Sequence, residues 1–237
     1  MSIYNYNLNN QYSSNQSLDV FVSKVMRQVF TKMFLAMVIT AISAYMVLSV
    51  PALAKFIFTN SWVYWGLLIG EIVMVIALSA SINKLSNAGA TALFYLYSVL
   101  NGMTLSCIVL VYTAASIALT FAITAGVFAT MAIYGYVTKS DLTKFGSFMM
   151  MALFGLIICI VVNLFMHSST LEWIISFAGV VIFIGLTAWD VQKIKRMAAM
   201  SDYNSAGKIA TIGALSLYLD FINLFLYLLR FFGSSRD

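Results

Sequence analysis

The stretch that decides the fold is Gly213-Ala-Leu-Ser-Leu-Tyr-Leu-Asp-Phe-Ile-Asn-Leu-Phe-Leu-Tyr-Leu-Leu-Arg230. It is almost wholly apolar and long enough, with its flanks, to cross a bilayer, which takes about 20 residues of helix. Its polar members are Gly213, Ser216, Asp220, Asn223, Tyr227 and Arg230. They recur at steps of three, four, three, four and three. That spacing keeps them on one helical face. A membrane helix with a single polar stripe packs in a bundle or lines an aqueous path.

Six further segments of the same apolar character precede it. The spans read as 30–50, 62–82, 88–111, 115–137, 145–166 and 171–191, with the last at 209–232. The whole chain of 237 residues is 62% hydrophobic and 9% charged, with mean hydropathy +0.95. A soluble domain cannot build a polar shell from that composition. One proline, Pro51, suits a mostly helical chain, and the short alternating segments of a β-barrel are absent. The expected fold is therefore an all-α membrane protein of seven transmembrane helices, occupying 20–237. Residues 1–19 read as a polar, disordered tail, without the basic and apolar regions of a signal peptide. Asn15-Gln16-Ser17 matches a glycosylation sequon but falls in that tail.

The net charge of +5 does not point to nucleic acid, because the bases cluster in the connections. Lys24, Arg27, Lys32, Lys84, Lys139, Lys144, Lys193, Lys195, Arg196 and Lys208 fall on one side, and Lys55, Arg230 and Arg236 on the other. The positive-inside rule then puts the N-terminus in the cytoplasm. The absence of a sorting signal suggests a bacterial plasma (inner) membrane.

Three acids fall within spans: Glu71, Asp190 and Asp220. A charge at the bilayer centre costs roughly 2.5–3.5 kcal/mol even on the gentler insertion scale. Such acids face the bundle interior and commonly serve function. Ser216 and Asn223 are equally at home as polar glue between helices. Asp190 lies near the membrane edge, where water or Lys193 can satisfy it. Glu71 has Lys84 as its nearest following base, about 20 Å away along a helix, so it needs another partner, water or a proton.

The stretch from Gly213 through Gly233 resembles the last helix of the Bax inhibitor-1 family of transmembrane proteins. Gly185-Leu-Thr-Ala-Trp-Asp-Val-Gln-Lys-Ile-Lys195 resembles the family's sixth-helix motif. The resemblance covers residues 20–233. It implies a central last helix surrounded by the other six, and a di-aspartyl pair of Asp190 and Asp220 linked to a pH-sensitive calcium leak. Glu71 matches an acid along the family's pore. Some members carry an arginine latch further along that helix. Here the place falls near Ile82, and Lys84 is the base available for such a latch.

Two carboxylates in one poorly solvated site cannot both ionise cheaply, so they can share a proton. Protonated, they bridge two helices. Deprotonated, they repel and offer hard oxygen ligands to Ca²⁺. The expected function is a pH-sensitive calcium or cation leak channel gated by Asp190 and Asp220, with Glu71, Asn223 and Ser216 along the ion pathway. The alternative is a regulatory protein that modulates a membrane protease or another membrane protein without conducting ions. No cofactor is expected beyond a calcium ion. An enzyme is not expected: the single histidine, His167, sits in a short outer loop, and no His-Glu-x-x-His motif occurs. Lys208 lies too early in the last span for a retinal protein, and the repeats of a secondary transporter are lacking. Cys107, Cys159 and the Met149-Met150-Met151 run read as packing residues.

Overall fold

The computed structural model describes residues 17–82 and 84–236. Among the described residues the chain is helical throughout, without a named strand. The helices are α1 (described over Ser17–Ser49), α2 (Pro51–Thr59), α3 (Ser61–Ser81), α4 (Asn87–Val111), α5 (Ala114–Val137), α6 (Thr143–Met166), α7 (Ser169–Ala199) and α8 (Ala206–Phe232). All but α2 are long and apolar enough to cross a membrane, so the seven expected spans are present.

Local chemistry sets the breaks. Pro51 starts α2 at a position where its missing N–H costs nothing. Ser86, Thr113 and Ser168 cap α4, α5 and α7 by accepting from Gly89, Ser116 and Leu171 backbone N–H groups. His167 ends α6 in the left-handed region, with φ 48°.

Three boundaries differ from the sequence reading. The first helix is already formed at Ser17, well before residue 30. Residues 1–16 of the expected tail, the sequon's Asn15 included, lie outside the described residues. The outer loop after Pro51 contains the helix α2. The sixth span does not stop at 191: α7 runs on to Ala199, through half of the expected polar connection. Hydropathy ends where Lys193, Lys195 and Arg196 begin, but the apolar face does not. Val191, Ile194 and Ala198 continue it at helical spacing and are buried.

The central position of the last helix is found. In the most apolar stretch of α8, 72% of residues are buried, against 6% in α3. It packs directly on α1, α4, α5 and α7, while α3 lies against α4 and α6 against α7. The expected ring of six is thus an inner ring of four with two outer helices. Aromatic side chains fill the inner contacts. Phe94 and Tyr97 of α4 meet Tyr218 edge-on at 5.8 Å each, and Phe128 of α5 meets Phe221 at 5.4 Å.

Polar contacts fix the ends of α8. At its start, the Lys32 ammonium of α1 donates to Thr91 Oγ1 of α4 at 2.8 Å and to Thr211 Oγ1 of α8 at 2.6 Å. At its finish, Thr113 N–H donates to the Ser234 carbonyl at 3.0 Å, and Arg236 N–H to the Val111 carbonyl at 2.8 Å. The helix therefore begins level with the start of α4 and ends beside the α4–α5 turn. Its 27 residues extend about 40 Å, long enough to cross the hydrocarbon core.

Close helix approach depends on glycine. A Cβ at Gly135 of α5 would collide with the Ala188 carbonyl of α7, and backbone cannot swing aside as a side chain can. Gly135→Ala should force α5 off α7 and cost about 1–3 kcal/mol, as overpacked cores do. The loss should appear as a lower Tm for detergent-purified protein; an unchanged Tm would contradict the close packing.

Candidate functional site

The turn at residues 200–205 reverses the chain, so α7 and α8 run antiparallel and face one another. Asp190, about two thirds of the way along α7, and Asp220, mid-way along α8, are brought together. They are 8% and 5% exposed and line one cavity of about 350 Å³ among α6, α7 and α8. Ser216, Asn223 and Tyr227 supply its other polar groups. Leu153, Leu156, Phe183 and Leu186 are among its apolar walls.

Three ionisable groups set the electrostatics of the cavity. The carboxylate of Asp190 acts on that of Asp220, and the Lys193 ammonium acts on both. The Ser216 hydroxyl lies beside Asp190. Asn223 turns its amide N–H onto the Leu219 carbonyl of its own helix, at 2.8 Å. Asp220 Oδ2 is buried without a hydrogen-bond partner among the described residues. An unpartnered buried carboxylate oxygen is costly when ionised and favours a proton or a cation.

Glu71 is not in this cavity. It lies on α3, across α4 from α8. Asn101 Nδ2 donates to its Oε2 at 3.1 Å, and the Thr104 hydroxyl to its Oε1. The Asn101 carbonyl oxygen accepts from the Tyr218 hydroxyl at 2.8 Å, and that hydroxyl lies 2.6 Å from Thr40 Oγ1 of α1. A relay thus joins α3, α4, α8 and α1. The partner that Glu71 needs is an amide and a hydroxyl rather than a base. Thr40, Asn101, Thr104 and Tyr218 were not singled out in the sequence. The available signal was an amide and two hydroxyls inside apolar spans, together with a tyrosine two residues before Asp220.

Lys84 is exposed in the turn after α3. Ion pairs among the described residues join Arg196 to Asp141 and Arg230 to Glu172; Lys84 takes no part in them. The base whose charge reaches the aspartates is Lys193, which sits 4.7 Å from the Trp189 ring centre.

The connection between α5 and α6 is held under the acid pair. Gln192 accepts from Leu142 N–H at 2.9 Å and donates to the Ser140 carbonyl at 2.8 Å. Asp141, outside the spans, accepts from the Thr143 hydroxyl and N–H and from Arg196. These bonds, the Thr143 hydroxyl first, hold its carboxyl down to about 2.

The architecture is that of a multi-pass helical membrane protein with a buried acid pair beside its central helix. A family model described as inhibitor of apoptosis-promoting Bax1 matches residues 22–237. The inner membrane protein YbhL of Escherichia coli (strain K12) is 47% identical over 214 residues, 89% of this chain and 92% of that one. A protein of Borreliella burgdorferi is 47% identical over 217 residues, 91% of this chain and 94% of its own. A Rickettsia prowazekii protein is 41% identical over 232 residues, 95% of each chain. The chain belongs to the Bax inhibitor-1 family.

Two outcomes follow from these contacts. Tyr218→Phe removes the donor to Asn101 and leaves a buried carbonyl oxygen unpaired, so it should cost about 1–3 kcal/mol, read as a fall in Tm. Asp141 has a depressed folded pKa, so its contribution is present above the ordinary carboxylate range and lost as pH falls through about 2. Asp141→Asn should therefore leave any pH response between about pH 5 and 8 unchanged. A shifted midpoint in that mutant would show that the loop carries the response.

Proposed function

We propose that this protein is a pH-sensitive cation leak channel, conducting calcium, whose gate is the Asp190–Asp220 pair. The observation that supports this reading is the single cavity lined by both buried carboxylates, with one oxygen of Asp220 unpartnered. Two carboxylates without room for full solvation share a proton, and a shared proton ties α7 to α8. Its loss leaves two like charges in one cavity, which separates the helices and presents hard oxygens to a cation.

The donor set suits passage better than storage. Ca²⁺ takes six to eight oxygens. The cavity offers two carboxylates and few neutral oxygens, and no cluster of three or more His, Cys, Asp or Glu occurs among the described residues. Weak, transient coordination is what conduction requires. In this reading calcium is cargo, Ser216 and Asn223 lie along the route, and Glu71 acts through its relay to α8 rather than as a ligand within the cavity.

The clustering of bases at one end of the bundle supports a cytoplasmic N-terminus, and the relative YbhL, an inner membrane protein by name, supports the bacterial inner membrane. The rival reading, a regulator of a membrane protease or other membrane protein, predicts a protein that binds a partner and passes no ions.

The test is calcium flux in proteoliposomes as a function of pH. Wild-type flux should rise with pH as the shared proton is lost. Asp220→Asn, which cannot ionise, should flatten that profile. A mutant profile identical to wild type would remove the acid pair from the gate. Absence of flux from wild-type protein at every pH would favour the regulatory reading.

A further inference from the structure

The polar stripe of α8 does not end at the acid cavity. One turn beyond Asn223 stands Tyr227, which is 9% exposed and lines that cavity. Its ring lies flat against the Phe183 ring of α7, with centres 5.9 Å apart and planes 25° from parallel. It fits there because position 179 has no side chain: a Cβ on Gly179 would come within 2.6 Å of the Tyr227 ring carbons. That is below any tolerated contact, so the glycine is what lets the ring lie across the α7–α8 seam.

A second cavity, of about 300 Å³, lies outward of that ring. Asn163, His167, Glu172 and Arg230 give it a polar lining. Ile160 of α6 borders both cavities. Arg230, the next member of the stripe, sits over Tyr227, with its guanidinium carbon 5.8 Å from the ring centre. The guanidinium is also 3.7 Å from the Glu172 carboxylate and 3.4 Å from Ser176 Oγ. A layer of Tyr227 and Ile160 therefore stands between a polar outer vestibule and the buried acids, and Arg230 is tethered above it from α7.

We propose that Tyr227 is the outer lid of the acid cavity and that Arg230, tethered to Glu172 and Ser176, is its latch. The ring excludes water and hydrated ions from the acids. The guanidinium holds the ring down through its π face while its ion pair with Glu172 fixes it at the mouth. Opening requires the guanidinium to leave the ring and the ring to rotate away from Phe183. The proposal rests on the leak reading for its consequence in flux, but the lid itself is a statement about access and is testable without flux.

The test is thiol accessibility. Asn223→Cys is placed in a background with Cys107→Ala and Cys159→Ala, in vesicles oriented with the C-terminal end of α8 outward. A membrane-impermeant cationic thiol reagent is added outside, and calcium flux is followed in parallel. Labelling should be slow with Tyr227 and Arg230 intact, and at least about tenfold faster in Tyr227→Ala, as expected when a lid is removed. Arg230→Gln alters a half-exposed side chain, so it serves if Tyr227→Ala does not fold, and it should also accelerate labelling. Equal rates in all three proteins would overturn the lid. Faster labelling together with no calcium flux from wild-type protein would keep the lid and discard the leak. Greater flux at unchanged labelling would keep the leak and discard the lid.

Discussion

A carboxylate inside a bilayer has no water to solvate it, and hydrocarbon offers no substitute. Asp220 sits mid-way along a spanning helix, so that helix cannot face lipid on the side that carries it. The rest of the architecture follows from this constraint. The helix bearing Asp220 becomes the most buried of the seven spans. Its neighbours supply hydroxyls, amides and a second carboxylate where lipid would otherwise be, and the lipid-facing work passes to others. On α3 and α6, large apolar side chains such as Ile72, Ile76, Phe154 and Ile158 are exposed, as a membrane surface requires.

The central helix is polar on more than one side. Ser216, Asp220 and Asn223 face the cavity shared with α6 and α7. Tyr218, on the opposite side, is hydrogen-bonded toward α4 and α1 and through Asn101 to Glu71. The two networks serve different ends. In the relay every bond recorded is a neutral hydroxyl or amide to its partner, apart from those that satisfy Glu71. Such a satisfied network fixes one packing arrangement. The acid cavity is the opposite case, with one oxygen left without a partner. Partly satisfied buried charge is unstable by design and responds to whatever can satisfy it.

Much of this was legible in the sequence because membrane helices must satisfy their own backbone. Span number and all-helical class follow from hydropathy, and the three-four stripe marks one face of 209–232 as turned away from lipid; the central place of that helix is what the family resemblance implies. The stripe also ordered Ser216, Asp220, Asn223, Tyr227 and Arg230 as they stand along α8. The partnership of Asp190 with Asp220 came from the resemblance, not from periodicity, since a single helix's pattern does not say which helix it faces. Glu71 was legible as an anomaly but not as a member of the Tyr218 relay, because Asn101 and Thr104 look like ordinary interhelical glue until α3 and α4 are placed side by side. The length of α7 was misjudged because hydropathy measures lipid contact, whereas Val191, Ile194 and Ala198 are buried against protein under a basic surface.

These placements also decide which part of the bundle can respond to the acid pair. The start of α8 is tied through Thr211 to Lys32, and the chain just after its end is tied to the α4–α5 turn. Its middle is tied by Tyr218, whose shift would leave the Asn101 carbonyl unpaired. In the proposed gate, repulsion between Asp190 and Asp220 therefore acts on an α8 that is tied at both ends and in its middle. On the other side of the cavity stands α6, which packs chiefly against α7 and exposes much of its length to lipid. Lipid yields to a tilting helix at a cost of fractions of a kcal/mol per ångström of mismatch, far less than breaking a buried network. In the proposed gate, separation of the acids would fall on α7 and on α6 behind it rather than on α8, working against the close α5–α7 contact at Gly135 and drawing the α5–α6 loop along through Gln192. Asp190, Asp220 and Tyr227 line one cavity at the α7–α8 seam, so the proposed lid and the proposed acid gate would share the same boundary.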